Sequence, residues 1–190
     1  SKNHTVLFYD IETEKGEDGY SEAVDATERI TAISWYDTKV KQYYVSVYDD
    51  KGRLTLGEHT VGDTILYVVN NEKELLDLFV KYWVLIKPTI VSGWNTERYD
   101  NTYFINRLKK LIPRKVNKLS PIGIVNQTSI DDGNSYKYEI AGISLLDMLV
   151  LYKTFTFGEK ASYKLGDIAW LEVKETKVDY DGDLMNLFNT

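Results

Sequence analysis

Short stretches of alternating or uniformly apolar residues dominate the first third of the chain and predict β-strands. Residues 5–9 form an apolar run typical of a buried strand. Residues 29–36 and 41–48 alternate and are rich in Ile, Val, Tyr and Trp, and the polar turn at 37–39 between them predicts a hairpin. Residues 64–69 continue the series. We therefore expect a β-sheet in this part of the chain.

The period of the apolar residues then changes to that of a helix. Over residues 72–86 apolar side chains recur at helical spacing, and Pro88 lies just past the end. Asn70 or Asn71 is suited to cap the first turn. Residues 99–111 show the same period and predict a second helix.

The rest of the chain mixes strand and helix patterns. Residues 89–93 predict a short buried strand, and residues 143–151 a central strand or the start of a helix. A β-hairpin is predicted at about residues 123–142, with Asp, Gly and Asn at its tip. Residues 162–171 predict a short helix. With no repeat or evident linker, we expect a single α/β domain over residues 1–190.

Composition narrows the chemistry available to the chain. Its residues are 43% hydrophobic, with no Cys and only two His, which excludes a disulfide scaffold and a thiolate zinc site. No apolar run reaches the ~20 residues of a membrane helix, and no secretion leader is visible. We therefore expect a cytoplasmic protein without a membrane partner, whose catalysis would depend on carboxylates, hydroxyls, amides and lysines.

The net charge of the chain is negative, but one stretch of it contains only basic charged residues. The chain has 23 basic and 29 acidic residues, a net charge of −6, which argues against a general nucleic-acid binder. Residues 101–130, however, contain no Asp or Glu. The basic residues there are Arg107, Lys109, Lys110, Arg114, Lys115 and Lys118. They predict either a positive local field or an ordinary solvated helix face and loop.

Two acidic residues follow the first apolar run. Asp10 and Glu12 are two positions apart, so on a strand they face the same side, and we expect them at the strand end. Neighbouring carboxylates repel each other and are stable as an ionised pair when a cation lies between them. Mg²⁺ and Mn²⁺ prefer such oxygen ligands. An ordinary surface strand carrying the same pattern is the alternative.

A second polar segment follows the buried strand at residues 89–93. It contains Asn95 and reaches Asp100 at the start of a predicted helix. Asp100 is either a helix N-cap or a third carboxylate facing Asp10 and Glu12. Asn95 is expected to hold the loop through its amide.

Together these segments resemble the exonuclease motifs of family B DNA polymerases, most closely those of large tailed phages. Asp10-Ile11-Glu12 is similar to the first motif, and Asn95 followed by Tyr99-Asp100 is similar to the second. The likeness extends through residues 103–108, 119–121, 142–144, 146–147, 151–153, 162–165 and 180–182. It implies an α/β fold of the ribonuclease-H-like (DnaQ-like exonuclease) kind, with a mixed sheet flanked by helices. It also implies a protruding β-hairpin, which resembles the one that the family uses where the DNA strands separate.

The resemblance implies a proofreading 3′→5′ exonuclease with two divalent ions, Mg²⁺ or Mn²⁺, about 3.5–4 Å apart. Asp10 would bridge both ions, Glu12 would help bind the ion on the nucleophile side, and Asp100 would serve the other ion. The substrate would be the single-stranded 3′ end of primer DNA. The remaining polymerase domains would lie elsewhere in a longer parent chain, acting in the host cytoplasm if the protein is viral.

The third motif of the family, Tyr-x-x-x-Asp, is expected outside this chain. Tyr163 and Asp167 match it literally, but residues 180–182 resemble a segment upstream of the third motif in phage relatives. On that register the chain is a fragment ending before the motif, and we expect it to cleave DNA weakly or not at all. Tyr163 and Asp167 are kept as the alternative third motif, and Asp147 is interpreted as structural.

Substrate contacts are predicted at Asn95, Tyr99 and Lys177, with Phe8 and Tyr103 as further aromatic residues suited to stacking on bases. Two alternatives to a proofreading domain remain. A stand-alone nuclease of the same fold would be favoured by a third carboxylate motif within the chain. A non-catalytic DNA-binding module would bind DNA in a salt-sensitive way without metal dependence.

Overall fold

A seven-stranded mixed β-sheet organises the computed structural model, which describes residues 4–175. The strands are β1 (Val6–Thr13), β2 (Ile30–Asp37), β3 (Gln42–Tyr48), β4 (Gly57–Val61), β5 (Thr64–Val69), β6 (Ile90–Gly93), β7 (Val125–Ile130), β8 (Ser135–Ile140) and β9 (Ser144–Asp147). The sheet order is β4-β5-β3-β2-β1-β6-β9, and β7 and β8 form a separate antiparallel hairpin. The mixed sheet with flanking helices and the hairpin confirm the predicted fold class.

The helices follow the first five strands in the chain. They are α1 (Glu72–Ile86), α2 (Asp100–Leu111), a 3₁₀ helix (Pro113–Leu119), α3 (Met148–Phe155) and α4 (Leu165–Val173), with one 3₁₀ turn (Asp131–Gly133) at the hairpin tip. The chain divides into two compact units, the first ending at Met148 and the second beginning at Leu149. Between residues 4 and 175, no helix combines the length and the apolar character that crossing a membrane requires.

The first helix, α1, begins and ends at residues that cap it. The Asn71 side chain accepts a hydrogen bond of 2.9 Å from the backbone N–H of Glu74, which makes Asn71 the N-cap. Lys87 adopts a left-handed conformation with φ of 51° and donates its N–H to the Trp83 carbonyl, which closes the helix. These two caps confirm the prediction for residues 72–86.

The core of the first unit lies between the sheet and the helices α1 and α2, and it is rich in aromatic residues. The Tyr9 ring centroid on β1 lies 5.2 Å from that of Phe79, 6.1 Å from that of Trp83 and 6.2 Å from that of Phe104. Burying each side chain of this size stabilises the fold by roughly 1.5–3 kcal/mol. Because Tyr9 points inward, the residues on either side of it point to the opposite face of the sheet.

The first strand is longer than the predicted run at residues 5–9. Its antiparallel pairing with β2 continues to Thr13, which pairs with Ile30. Asp10 and Glu12 therefore lie within β1, with Glu12 one residue before its last residue, so the strand ends later than the apolar run predicted. The parallel pairing of β1 with β6, in contrast, stops at Phe8. Past that point β1 is paired on the β2 side, and its β6 side faces the loop after β6.

Two elements were not predicted from the sequence. β4 pairs with β5 across the two-residue turn Gly62-Asp63, in which Gly62 has φ of 60°. A Gly-Asp pair is a recognised hairpin signal, so the sequence did carry this information. The 3₁₀ helix begins at Pro113, where the missing proline N–H is tolerated. Residues 143–151, predicted as strand or helix, contain all of β9 followed directly by the first half of α3.

Candidate active site

The acidic residues of β1 lie on the open face of the sheet. Side chains alternate along the strand, so Tyr9 and Ile11 are buried while Phe8, Asp10 and Glu12 are exposed. The pattern therefore places both carboxylates beside an aromatic ring with 38% of its surface exposed. This is the shared face that the sequence predicted for Asp10 and Glu12.

Asp100 approaches β1 from the start of α2. Its side chain is buried, with 3% of its surface exposed, and its Oδ1 accepts a hydrogen bond of 3.1 Å from the backbone N–H of Ile11. Tyr99 occupies the N-cap position and makes no side-chain cap. The N-cap alternative for Asp100 is therefore wrong, because its carboxylate binds the strand that carries Asp10.

The carboxylates of Asp10 and Asp100 influence each other strongly. Burial, and next to it the negative charge of Asp10, raise the pKa of Asp100 to about 7. Hydrogen bonds to the N–H groups of Ile11 and of Asp100 itself oppose this rise. Burial also raises the pKa of the Tyr9 hydroxyl, with smaller contributions from Asp100 and Asp10. Without a cation the pair can relieve its repulsion by holding a proton.

The loop between β6 and α2 is tightly built. A Cβ atom at Gly93 would lie 2.0 Å from the Thr96 Oγ1 and 2.8 Å from the Tyr9 carbonyl oxygen, so a side chain has no room there. Asn95 has φ of 62°, a left-handed conformation that Asn tolerates better than most residues. The tightness of this loop brings α2 against β1.

Asp147, at the end of β9, holds this loop. Its Oδ1 accepts from the backbone N–H of Asn95 and its Oδ2 accepts from that of Glu97, both at 3.0 Å. These bonds agree with the structural role predicted for Asp147. The loop contact found for Asn95 is therefore made by its backbone, and a substrate contact by its side chain stays a prediction.

Tyr99 and Tyr103 differ in how much of each ring is available. Tyr99 is half-buried, and its pKa is raised mainly by that burial, while a hydrogen bond with Thr13 opposes the rise. Tyr103 is fully buried and donates its hydroxyl to the Glu28 carbonyl at 2.8 Å. The prediction that Tyr103 stacks on a base is therefore wrong, because its ring belongs to the core.

The hairpin is joined to the same loop by two ion pairs. Arg98 contacts both carboxylate oxygens of Asp131 at the hairpin tip, at 3.0 and 3.2 Å. Lys137 of β8 contacts Glu97 at 2.5 Å. The hairpin and the segment leading to Asp100 are thus connected by side chains as well as by packing.

Side chains of α2 hold the connection between β1 and β2. Asn106 donates to the Ala23 carbonyl at 2.8 Å, Arg107 to the Ala26 carbonyl at 3.1 Å, and Lys110 to the same carbonyl at 2.8 Å. The segment after Glu12 therefore depends on α2 for its position. The sequence analysis did not identify this role of α2.

Residues 101–130, which contain no Asp or Glu, carry less uncompensated positive charge than the sequence suggested. Arg107 forms a buried ion pair with Glu72, and Lys115 forms a partly exposed ion pair with Asp77. Acidic residues of α1 thus neutralise part of the expected field, which local sequence counting does not show.

The alternative third-motif residues lie in the second unit. Asp167 is exposed on α4 and accepts a hydrogen bond from Ser162. The Tyr163 ring centroid lies 6.5 Å from that of Tyr152, and its hydroxyl accepts from the Lys160 N–H. Lys177 lies outside the described residues. Between residues 4 and 175, no group of three or more acidic or histidine side chains is arranged to hold a metal ion.

The seven-stranded mixed sheet flanked by helices, with the separate β7-β8 hairpin, is consistent with the ribonuclease-H-like exonuclease fold. The sequence matches the exonuclease domain of DNA polymerase family B over residues 2–168, and the chain belongs to that family. The known role of this domain is proofreading by 3′→5′ exonuclease activity, and such domains generally depend on divalent metals.

Two phage proteins are similar to most of the chain. The DNA-directed DNA polymerase of Enterobacteria phage T4 is 32% identical over 195 residues, which cover 91% of this chain. The DNA-directed DNA polymerase of Escherichia phage RB69 is 32% identical over 204 residues, which cover 96% of this chain. The chain spans 22% of the length of each of these polymerases.

Proposed function

We propose that this chain removes mispaired nucleotides from the single-stranded 3′ end of primer DNA, as one part of a larger polymerase. In this hydrolysis, a water oxygen bonds to the terminal phosphorus while the bond from phosphorus to the 3′ oxygen breaks. The departing 3′ oxygen takes up a proton, and a nucleoside monophosphate is released. The protein would act in the cytoplasm of the host cell.

The observation that carries this proposal is the meeting of Asp10 and Asp100. A buried carboxylate whose pKa is raised to about 7 by burial and by a second carboxylate is unfavourable as a structural element. The arrangement is useful where a cation neutralises both groups.

We propose that these carboxylates bind a divalent cation by their chemistry, although between residues 4 and 175 they are not already gathered into a group of three metal-ligating side chains. Asp10, Glu12 and Asp100 supply carboxylate oxygens, which Mg²⁺ and Mn²⁺ prefer, and Asp10 and Glu12 reach the solvent-facing side of the sheet. Two such ions, when bound, stabilise charge on the attacking and the leaving oxygen. The chain itself holds Asp100 in place through Ile11 and the loop through Asp147.

Substrate binding is proposed on the same face. Phe8 is exposed near Asp10, and the half-buried Tyr99 adjoins Asp100 in the sequence; we propose that these two rings stack on unpaired bases near the carboxylates. Stacking is tolerant of sequence, which suits an enzyme that must accept any terminal base. Asn95 and Lys177 remain candidates for contacts with the substrate.

Metal-dependent shortening of 5′-labelled single-stranded DNA tests the proposal. The chain would be compared with a longer one extended beyond Thr190, each with Mg²⁺ or Mn²⁺. We propose that the aspartate of the third motif lies beyond residue 190, so the longer chain should remove nucleotides stepwise and the shorter one should be weak or inactive. Asp10→Ala and Asp100→Ala should abolish cleavage by the longer chain.

Two outcomes would contradict this proposal in different ways. If the 190-residue chain cleaves DNA and loses this activity in both Asp10→Ala and Asp167→Ala, then Tyr163 and Asp167 form the third motif and a stand-alone nuclease is favoured. If neither chain cleaves but both bind DNA in a salt-sensitive and metal-independent way, the chain is a binding module.

A further inference from the structure

A buried hydrogen bond joins the neighbours of the two interacting carboxylates. Tyr9 immediately precedes Asp10, and Asn101 immediately follows Asp100. The Tyr9 hydroxyl donates to the Oδ1 of Asn101 at 2.5 Å, and both side chains are almost fully buried. The bond connects residues that are 92 positions apart in the chain.

The Tyr9 ring is fixed independently of this bond. Its centroid lies 5.2 Å from that of Phe79 and 6.2 Å from that of Phe104, so the core determines where the hydroxyl points. A rigid hydroxyl of this kind can set the position of the helix that receives it. The first turn of α2, with Asp100, is the part so positioned.

Asn101 is an unusual residue for its surroundings. Its side chain is 1% exposed, and its Nδ2 has no hydrogen-bond partner among the described residues. A buried amide with an unmatched donor destabilises the fold. The hydrogen bond that its Oδ1 does make is therefore the feature that distinguishes Asn101 from an apolar residue of the same size.

Two hydrogen bonds thus run from β1 to the first turn of α2. The Ile11 N–H reaches Asp100, and the Tyr9 hydroxyl reaches Asn101. We propose that the bond between Tyr9 and Asn101 is a positioning device that sets the spacing between the carboxylates of Asp10 and Asp100. The inference rests on the proposed function only in taking these two carboxylates as metal ligands.

The chain offers a closely matched control for this inference. Tyr138 is also buried, at 1% exposure against 3% for Tyr9, and also donates its hydroxyl to an asparagine Oδ1 on α2, that of Asn106 at 2.7 Å. Tyr9→Phe and Tyr138→Phe each remove one buried hydroxyl and keep the ring. Of these two variants, only Tyr9→Phe removes the proposed positioning bond.

Hydrogen exchange of the Ile11 amide tests the inference directly, because this amide donates to Asp100. The exchange rate can be measured without a bound metal ion. After correction for global stability measured by urea unfolding, Tyr9→Phe should lower Ile11 protection by about tenfold or more, and Tyr138→Phe should leave it within about twofold. Equal protection in the two variants, or no change in Tyr9→Phe, would overturn the inference.

A double variant separates positioning from stability. Tyr9→Phe with Asn101→Leu removes both polar partners together with the unmatched Nδ2, so its global stability should equal or exceed that of Tyr9→Phe. The Ile11 amide should nevertheless remain unprotected. Recovery of Ile11 protection in the double variant would show that packing, not the hydrogen bond, positions α2, and would overturn the inference.

The affinity for Mn²⁺, measured by calorimetry, tests whether the bond between Tyr9 and Asn101 affects metal binding by Asp10 and Asp100. In the chain extended beyond Thr190, Tyr9→Phe should weaken Mn²⁺ binding by about tenfold, as expected for groups that support metal ligands, while Tyr138→Phe should not. Unchanged Mn²⁺ affinity in Tyr9→Phe would contradict the inference. Unchanged affinity in Asp10→Ala would contradict the proposed function instead, so the two failures are distinguishable.

Discussion

The carboxylate of Asp100 accepts a hydrogen bond from the backbone N–H of Ile11, the residue between Asp10 and Glu12. This contact arises because β6 ends at Gly93 while β1 continues to Thr13. The Ile11 N–H, which would otherwise lack a strand partner on that side, binds a side chain from the following helix. The same contact brings Asp100 close enough to Asp10 for its pKa to rise.

The first prediction concerns pH in the absence of divalent metal. The folded pKa of Asp100 is raised to about 7, above its unfolded value of about 3.9. Its contribution to stability is therefore fully present below about pH 4 and is lost as pH rises to about 7. We expect the free energy of unfolding to fall by on the order of 3 kcal/mol over this interval through this group. Urea unfolding at several pH values measures it.

Asp100→Asn isolates this effect from other titrating groups. Asn keeps an oxygen that can accept from Ile11 but cannot ionise, so the variant should be more stable than the wild type at about pH 8 and similar to it at about pH 4. A difference between the two proteins that does not vary with pH would show that Asp100 does not titrate in this range.

The second prediction assigns the role of Asp147. Asp147→Asn keeps one acceptor for the N–H groups of Asn95 and Glu97, so it should cost about 1–2 kcal/mol of stability. In the chain extended beyond Thr190, it should retain most of the metal-dependent exonuclease activity, whereas Asp10→Asn should lose it. Comparable losses of activity in the two variants, with the stability of Asp147→Asn lowered by no more than about 2 kcal/mol, would contradict a purely structural role for Asp147.

The third prediction concerns the loop before α2. Gly93→Ala places a Cβ 2.0 Å from the Thr96 Oγ1 and 2.8 Å from the Tyr9 carbonyl oxygen, so the backbone must shift. We expect a loss of about 2–4 kcal/mol in urea unfolding. Gly166→Ala, where no atom lies within 4 Å of the new Cβ, is the control and should be neutral or slightly stabilising. Similar losses at the two positions would contradict the explanation by crowding.

The fourth prediction contrasts a buried with an exposed ion pair. Arg107 and Glu72 are paired with side-chain exposures of 10% and 6%, so Arg107→Met leaves a buried charge and should cost about 3–5 kcal/mol. Arg29 and Glu14 are paired at 46% and 26% exposure, so Arg29→Met should cost about 1 kcal/mol or less. Chemical denaturation of both variants checks the order, and a reversed order would refute the argument from burial.

Much of the fold could be predicted from periodicity and caps. The bounds of α1 follow from apolar spacing together with Asn71, and the alternation along β1 correctly placed Asp10 and Glu12 on one face. β4 was not predicted because its residues are largely exposed, so the sequence there shows no alternation of apolar and polar positions. The length of β1 was underestimated because its polar residues interrupt the apolar run.

The meeting of Asp10 with Asp100 could not be obtained from spacing alone. It depends on the parallel pairing of β1 with β6, which brings segments about ninety residues apart together. The family resemblance supplied this pairing where local pattern did not. Tyr9 and Asn101 were not predicted for the same reason, since neither residue is unusual until both are placed in the core.

The contacts made by α2 restrict how the chain can vary in length. Asp100, Asn106 and Arg107 each bind a different part of the first unit: β1, the hairpin and the connection after β1, and α1. Each helical residue advances the direction of the side chain by roughly 100°, so one residue inserted between Asn101 and Asn106 would turn one set of contacts away from its partners. Insertions in exposed loops of this chain would leave these contacts intact, whereas the spacing within α2 cannot change without losing some of them.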